Sequence, residues 1–186
     1  MCAAALIYGP CDVLFPGTQE ANLQTFYQEL KERPGAAPGC TFLDDRVPDF
    51  SKYGRLVAVD TRRRSRLRHV WPLLDNPGTR IEVWDHHPET SDDVHAHVCH
   101  AEICGAVTTL LIEEIQKLNI AVPRETATVL GLGIYSDTGS FSFSSVTQRD
   151  FAAAGWLLGR GMDINIISEK TAFSMTKEHI RALNAL

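Results

Sequence analysis

The sequence has no CxxC pair, no internal repeat, no low-complexity tract and no apolar run of bilayer length, and each absence removes a class of protein. Its 5 cysteines, Cys2, Cys11, Cys40, Cys99 and Cys104, are odd in number and unpaired in spacing, which sets aside a disulfide framework and fits reduced thiols. The apolar stretches fall far short of the ~20 residues that a spanning helix needs. The opening "MCAAALIYGPC" lacks the basic start of an export signal, so a cytoplasmic protein without membrane attachment is expected. Nor is there an excess of positive charge. With 18 basic and 23 acidic residues the formal net charge is -5, which excludes a surface that is a nucleic-acid footprint throughout and leaves room for a local basic patch.

What the chain does have is enough apolar material for one sizeable core, 44% hydrophobic residues over 186 positions. "CAAALIYG" reads as the last turns of a helix closed by Gly9 and Pro10, and "DVLF" as a short strand. "TQEANLQTFYQELKER" is amphipathic, with Leu23, Phe26, Tyr27 and Leu30 on one face. "CTFL", "RLVAV" and "IEVW" are short apolar runs of the kind found in buried strands. "CGAVTTLLIEEIQKLNI" is a helix, Pro123 opens another through "PRETATVLGLGIYSD", and Thr147 caps "QRDFAAAGWLLGRG". Strands interleaved with helices predict an α/β fold: a Rossmann-like, three-layer lobe with a mostly parallel central sheet. Ligands of such sheets sit at the carboxyl ends of the strands, where Asp60 and Asp85 fall.

Three segments carry chemistry-bearing side chains that the hydrophobic pattern does not require. Asp60 ends "RLVAVD", Asp85 is followed directly by His86 and His87, and Asp137 stands where a helix gives way to a loop in "GIYSDTGSF". Taken singly, each is an ordinary strand terminator or turn residue. Together they offer carboxylate oxygens and imidazole nitrogens, a donor mixture suited to manganese and similar divalent ions in a hydrolytic site.

In order and spacing these segments resemble the DHH phosphoesterases, a family that includes manganese pyrophosphatases, RecJ-type single-strand exonucleases and oligoribonuclease/phosphoadenosine-phosphate phosphatases. "VAVDT" is similar to the family's second motif, "DHH" to its third, "CGAVTTLLIEE" to the helix that follows, and "GIYSDTGSF" to its fourth. "LFPGTQEAN" and "VDTRRRSR" resemble the subgroup joined to CBS domains and a tRNA nucleotidyltransferase/poly(A) polymerase module. The resemblance implies that Asp60 bridges two metal ions, that His86 and Asp137 complete one ion's site, that His87 faces the scissile phosphate, and that Asp85 orients an imidazole. It implies Mn2+, with Mg2+ or Co2+ as substitutes, and water activated between two ions for the hydrolysis of nucleotide or short oligonucleotide phosphoesters. It also implies a first motif, an Asp-x-Asp-Ala segment, and a second lobe; neither pattern occurs in residues 1–186. The expectation is therefore an N-terminal lobe lacking both, impaired in hydrolysis on its own. The competing readings are a non-catalytic nucleotide- or RNA-binding or docking module beside a nucleotidyltransferase, and an inorganic pyrophosphatase; homo-oligomers are compatible with each.

Two further clusters need weighing. Five arginines lie between residues 62 and 68. They form either a solvated face or a phosphate clamp at the site mouth, with Arg62 and Arg64 as the candidate substrate-binding residues. Only Trp71 lies near them, so base stacking is not encoded there. His95, His97, Cys99, His100 and Cys104 would make a zinc site, yet the alternation of Val94, Ala96 and Val98 with them fits a strand with one buried face better. Asp44 and Asp45 would substitute for first-motif ligands, but a paired aspartate after a strand is more commonly a solvated turn. Phe151 and Trp156, at helical spacing, read as core.

Overall fold

The computed structural model describes residues 1–15, 28–33, 35–43 and 47–171. Most of the amphipathic segment 18–33, Asp44, Asp45 and the segment 176–186 lie outside the described residues. Of the first, residues 28–32 are described and are helical.

In chain order the elements are α1 (Cys2–Tyr8), β1 (Cys11–Val13), β2 (Cys40–Phe42), β3 (Arg55–Val59), a 3-10 helix over Arg64–Val70 that runs into α2 (Trp71–Leu74), β4 (Arg80–Asp85), β5 (Val98–Ala101), α3 (Val107–Lys117), α4 (Arg124–Asp137), α5 (Gln148–Leu158) and α6 (Ile164–Thr171). Every strand pairing is parallel. The α/β class with a parallel sheet is thus as the sequence implies, but the sheet comes in two pieces, β1 with β2 and, separately, β3, β4 and β5 in that order. Among the described residues no backbone hydrogen bond joins β1 to β3. Instead a groove of about 570 Å³ runs between them, with Cys11 to Leu14 on one side, Arg55 to Val59 on the other, and Ala4 and Tyr8 of α1 facing Leu67, Val70 and Leu73 across it.

Side-chain alternation along β3 and β4 divides the core into two halves. Val57, Val59 and Trp84 pack against the cluster built from α1 and α3 to α6, whose centre is Leu111, Ile112, Ile115, Ile134, Leu157 and Ile167. Leu56, Ala58, Ile81 and Val83 point the other way, against Leu67, Val70 and Leu73. Adjacent strand residues face opposite sides of a sheet, so runs that are apolar at every position must be covered on both faces. The three layers follow from that. Phe151 does not join the core. It is 57% exposed and stacks on Phe141 with ring centroids 4.6 Å apart, while Trp156 is half-buried beneath Arg160. Three helical turns give α5 a narrower apolar stripe than its composition suggests, and Ala153, Ala154 and Leu157 fill it.

The start of α5 is tied to the sheet side by one carboxylate. Thr147 and Asp150 form a capping box in which the Thr147 N–H and hydroxyl donate to Asp150 Oδ2 at 2.7 and 2.8 Å. The same carboxylate accepts from the Gly105 N–H at 2.9 Å and the Thr109 hydroxyl at 2.6 Å, and Asp150 is fully buried. Burial pushes its carboxyl up, but the donors from Thr109, Thr147 and Gly105 outweigh it and hold the group below the usual carboxylate range. A side chain at Gly105 would meet Asp150 Oδ2 and Thr138 Cγ2, each at 2.8 Å, so only glycine permits this approach.

Asp150→Ala is expected to destabilise the protein by about 3 kcal/mol, because it strands several buried donors. Asp150→Asn, which keeps one acceptor oxygen, should cost less. Urea midpoints at neutral pH measure both, and equal stability of Asp150→Ala and the parent would show that the network contributes nothing.

Candidate metal centre

The carboxyl ends of β3 and β4 lie side by side, and the chain continues their pairing one step past β3, where the Asp60 N–H donates to Trp84 O at 2.9 Å. Asp60 has φ 67°, in the left-handed region. Aspartate is one of the few non-glycine residues that adopts this conformation at modest cost. Its side chain is 48% exposed, turned over the strand ends towards the two histidines.

Asp85, the last residue of β4, is 1% exposed. Its Oδ1 accepts from the His86 N–H at 2.8 Å, the His87 N–H at 3.2 Å and the His87 ring at Nδ1, 2.7 Å. The carboxylate therefore closes the end of the strand and fixes one imidazole. The other is fixed differently. His86 Nδ1 lies 2.9 Å from the Cys104 carbonyl, which accepts only if that nitrogen carries the proton. Nε2 is then the lone-pair nitrogen in the neutral ring, and it stands 3.3 Å from Asp60 Oδ1. A carbonyl or carboxylate on the far ring nitrogen is the usual support of a metal-ligating histidine. Cys104 supplies it here, and Asp85 holds His87.

The ligand atoms of Asp60, His86 and His87 all lie within 4.8 Å of one another. Donors of an ion bound at about 2.0–2.3 Å span roughly 4 Å or a little more, so this set fits a divalent cation with small adjustments. Asp137, at the end of α4, stands outside that group but close enough for its charge to be felt by all of them. Burial, and then the Asp60 charge, raise its carboxyl to about 6. His86 is raised to about 9, foremost by its hydrogen bond to Asp60. The raised carboxyl and the carboxylate-paired imidazole show how tightly charged groups are gathered at these strand ends.

The two arginines proposed for substrate are differently engaged. Arg62 Nε pairs with Asp93 Oδ2 at 2.8 Å and lies 3.9 Å from Asp85 Oδ2, while an Nη donates to the His87 carbonyl at 3.1 Å; its side chain is 12% exposed. It braces the histidine segment from below. Arg64 pairs with Asp75 at 2.7 Å and lies over the Trp71 ring at 5.4 Å. Arg66 and Arg68 are exposed on the same 3-10 helix. The histidine and cysteine cluster separates: burial alternates from Val94 to Cys99 as expected, but the strand itself begins only at Val98. The His97 Nδ1 accepts from the Ile81 N–H, His100 stacks on Trp84 with centroids 3.9 Å apart, and the Cys104 thiol donates to Ala106 O. Among the described residues the only metal-competent group is the one at Asp60.

Two contributors escape sequence reasoning, and a third was only partly visible to it. Cys104 acts through a backbone carbonyl, which any residue possesses. Asp93 sits in "SDDV", indistinguishable there from a solvated turn. Asp150 was legible in part, since Thr147 followed by an acid three residues on is a capping-box pattern.

Stability in the presence of chelator should report the two shifts. A folded pKa raised to about 9 from 6.5 means that the His86–Asp60 pairing stabilises fully below pH 6.5 and is lost as the pH rises through about 9. The raised Asp137 carboxyl contributes fully below pH 3.8 and loses its effect as the pH rises through about 6. The His86 shift in full corresponds to about 3 kcal/mol, and screening at the half-exposed Asp60 reduces the expected loss to on the order of 1 kcal/mol. His86→Gln should flatten the alkaline limb of a thermal-denaturation series and, because the His86 charge lowers the Asp137 carboxyl, move the acid limb to higher pH.

No family model matches the chain. It is 37% identical over its full 186 residues to an A-adding tRNA nucleotidyltransferase of Geobacter sulfurreducens, of which it spans 21%. It is 30% identical over 130 residues, 69% of the chain and 38% of the relative, to a bifunctional oligoribonuclease and PAP phosphatase of Thermus thermophilus. Among solved structures, an exopolyphosphatase-related protein from Bacteroides fragilis superposes with TM-score 0.61 at 16% identity, covering 92% of this chain and 66% of that one; this likeness speaks for the fold. The chain thus spans about a fifth of the nucleotidyltransferase that it matches throughout. With these relatives, this fold and the Asp85-His86-His87 segment seated against Asp60, the chain belongs to the DHH phosphoesterase family as one of its lobes.

Proposed function

We propose that the chain is the metal-binding lobe of a phosphoesterase acting on nucleotides or short oligonucleotides, with manganese as its ion. The observation that carries this reading is the Asp60, His86 and His87 cluster, in which one imidazole is held by a carbonyl and the other by a buried carboxylate. Asp60 and His86 Nε2 would hold the ion, with Asp137 as a further carboxylate at the same strand ends. A divalent ion there supplies charge for the phosphoryl oxygens and acidifies bound water. His87, its Nδ1–H fixed on Asp85 and its ring 43% exposed, would as the doubly protonated imidazolium donate from Nε2 to a phosphate oxygen of the substrate. Arg62 keeps that imidazole in place through the His87 carbonyl and Asp85. Its role is positioning, while the exposed Arg66 and Arg68 can follow a polyanion along the surface.

The groove between β1 and β3 bears on the same reading. Each flanking strand belongs to a parallel pair, both lack a backbone partner on that side among the described residues, and apolar side chains line the groove from both layers. We propose that in a longer polypeptide a further parallel strand fills it and brings the first-motif carboxylates to the Asp60 end, making a two-ion site. Residues 1–186 alone would then bind one ion tightly and hydrolyse phosphoesters negligibly.

A second reading is supported by the match over the whole chain to a nucleotidyltransferase: a non-catalytic module that docks nucleotide or RNA beside a fused transferase. Manganese titration by calorimetry with parallel assays on a short oligoribonucleotide, a nucleotide phosphomonoester and pyrophosphate separates the cases. The proposal expects about one ion per chain, at least tenfold weaker binding for His86→Ala, and hydrolysis that returns on a longer polypeptide carrying the added strand and the second lobe. In that active form Arg62→Ala should lower kcat, whereas Arg64→Ala should leave it unchanged. No manganese binding by the parent, or unaltered binding by His86→Ala, would overturn it.

A further inference from the structure

Three of the five cysteines come together away from the metal centre. Cys2 opens α1, Cys11 opens β1 and Cys40 opens β2. Parallel pairing places Cys11 and Cys40 in direct register, so their side chains leave the same face of the small sheet. Cys2, buried at 7%, packs from α1 into the core cluster that Cys40 borders. The nearness of the Cys40 thiol is the leading influence that lowers both Cys2 and Cys11 below the usual thiol range. Neighbouring strands stand about 4.7–4.9 Å apart, within the 4.4–6.8 Å between Cα atoms that a disulfide spans.

The three are not equivalent. Cys40 has a single proton to give, so it can hold only one neighbour as a thiolate at a time. Its hydrogen bond lowers Cys11 to about 7. Cys11 and Cys40 are half-buried and open to small reagents, whereas Cys2 is closed in. Cys104 is the contrast: burial raises its thiol to about 11.

We propose that Cys11 and Cys40, with Cys2 as a third thiol, form a peroxide-responsive site that closes a Cys11–Cys40 disulfide across the two-stranded sheet. The Cys11 thiolate attacks one oxygen of hydrogen peroxide. The O–O bond breaks, the departing hydroxide takes up a proton as water, and Cys11 becomes a sulfenic acid. The Cys40 sulfur then attacks the Cys11 sulfur, the S–O bond breaks, and a second water leaves with the Cys40 proton. The two electrons lost by the sulfurs are those gained by peroxide. Cys2, packed from α1 in the cluster that Cys40 borders, can attack the Cys40 sulfur in turn, giving up its proton to the departing Cys11 sulfur and moving the link from strand–strand to helix–strand. Either link stiffens the β1 side of the groove, independently of what the metal centre does.

The test uses the whole chain with Cys99→Ser, to remove the exposed thiol, in chelator and with hydrogen peroxide in slight excess. Free thiols are then alkylated and the unreduced protein is digested with chymotrypsin, whose cleavage after Tyr8 separates Cys2 from Cys11. The expected product has lost two hydrogens and links the Cys40 peptide to that of Cys11, with the Cys2 link growing in later. Cys2→Ala should retain the first link and lose the second. Cys40→Ala should form neither, and its circular dichroism verifies that it is folded. A link through Cys104, alkylation of Cys11 and Cys40 alike after peroxide, or Cys11 carried to sulfinic acid without any link would each overturn the proposal.

Discussion

The buried carboxylate of Asp85 is the constraint on which the site depends. A single oxygen receives two consecutive backbone N–H groups and an imidazole, so the chain leaving β4 has one way to turn. A carboxylate 1% exposed is tolerated only when its acceptor capacity is met. Here the N–H groups, the His87 ring and Arg62 at 3.9 Å meet it together. His86 and His87 are thereby aimed at Asp60 from one side, rather than to opposite sides as neighbours in an extended strand would be.

Support for His86 arrives from elsewhere in the fold. Its ring is held by the carbonyl of Cys104, whose position follows from Gly105, which Asp150 holds by its N–H. Asp150 also begins α5 and binds Thr109 of α3. One buried acid therefore connects the helical layer to the tautomer of His86 on the strand side. Such a network is strong only if every member is satisfied, because a stranded group in a low-dielectric interior is costly. Among the described residues the buried side-chain atoms without hydrogen bonds are Arg62 Nε, which is instead ion-paired with Asp93, and Thr79 Oγ1.

The division of the sheet gives the lobe its other character. β3 and β4 are backed on both faces, while the edges of β1 and β3 that lack a backbone partner among the described residues look at each other across the groove. Unpaired strand edges bind extended polypeptide by backbone hydrogen bonds. The two parts of the molecule with unfinished valence, the groove and the Asp60 cluster, meet where β3 ends.

Much of this was legible in the residues. The run "LVAV" in β3, apolar at successive positions, demands a sheet covered on both sides, and the helix limits at Pro123 and Thr147 follow from local capping chemistry. Asp60, the Asp85-His86-His87 segment and Asp137 stood out because no packing pattern needs them. Sequence could not assign partners. Which imidazole Asp85 would hold, that Arg62 would be consumed by Asp93 while Arg64 turned to Asp75, and that Cys2, Cys11 and Cys40 would touch are matters of register and crossover, set by contacts between residues far apart in the chain. Local propensity and periodicity act over a turn or a strand. The choice among many chemically equivalent carboxylates, carbonyls and thiols is made only when packing decides which of them meet.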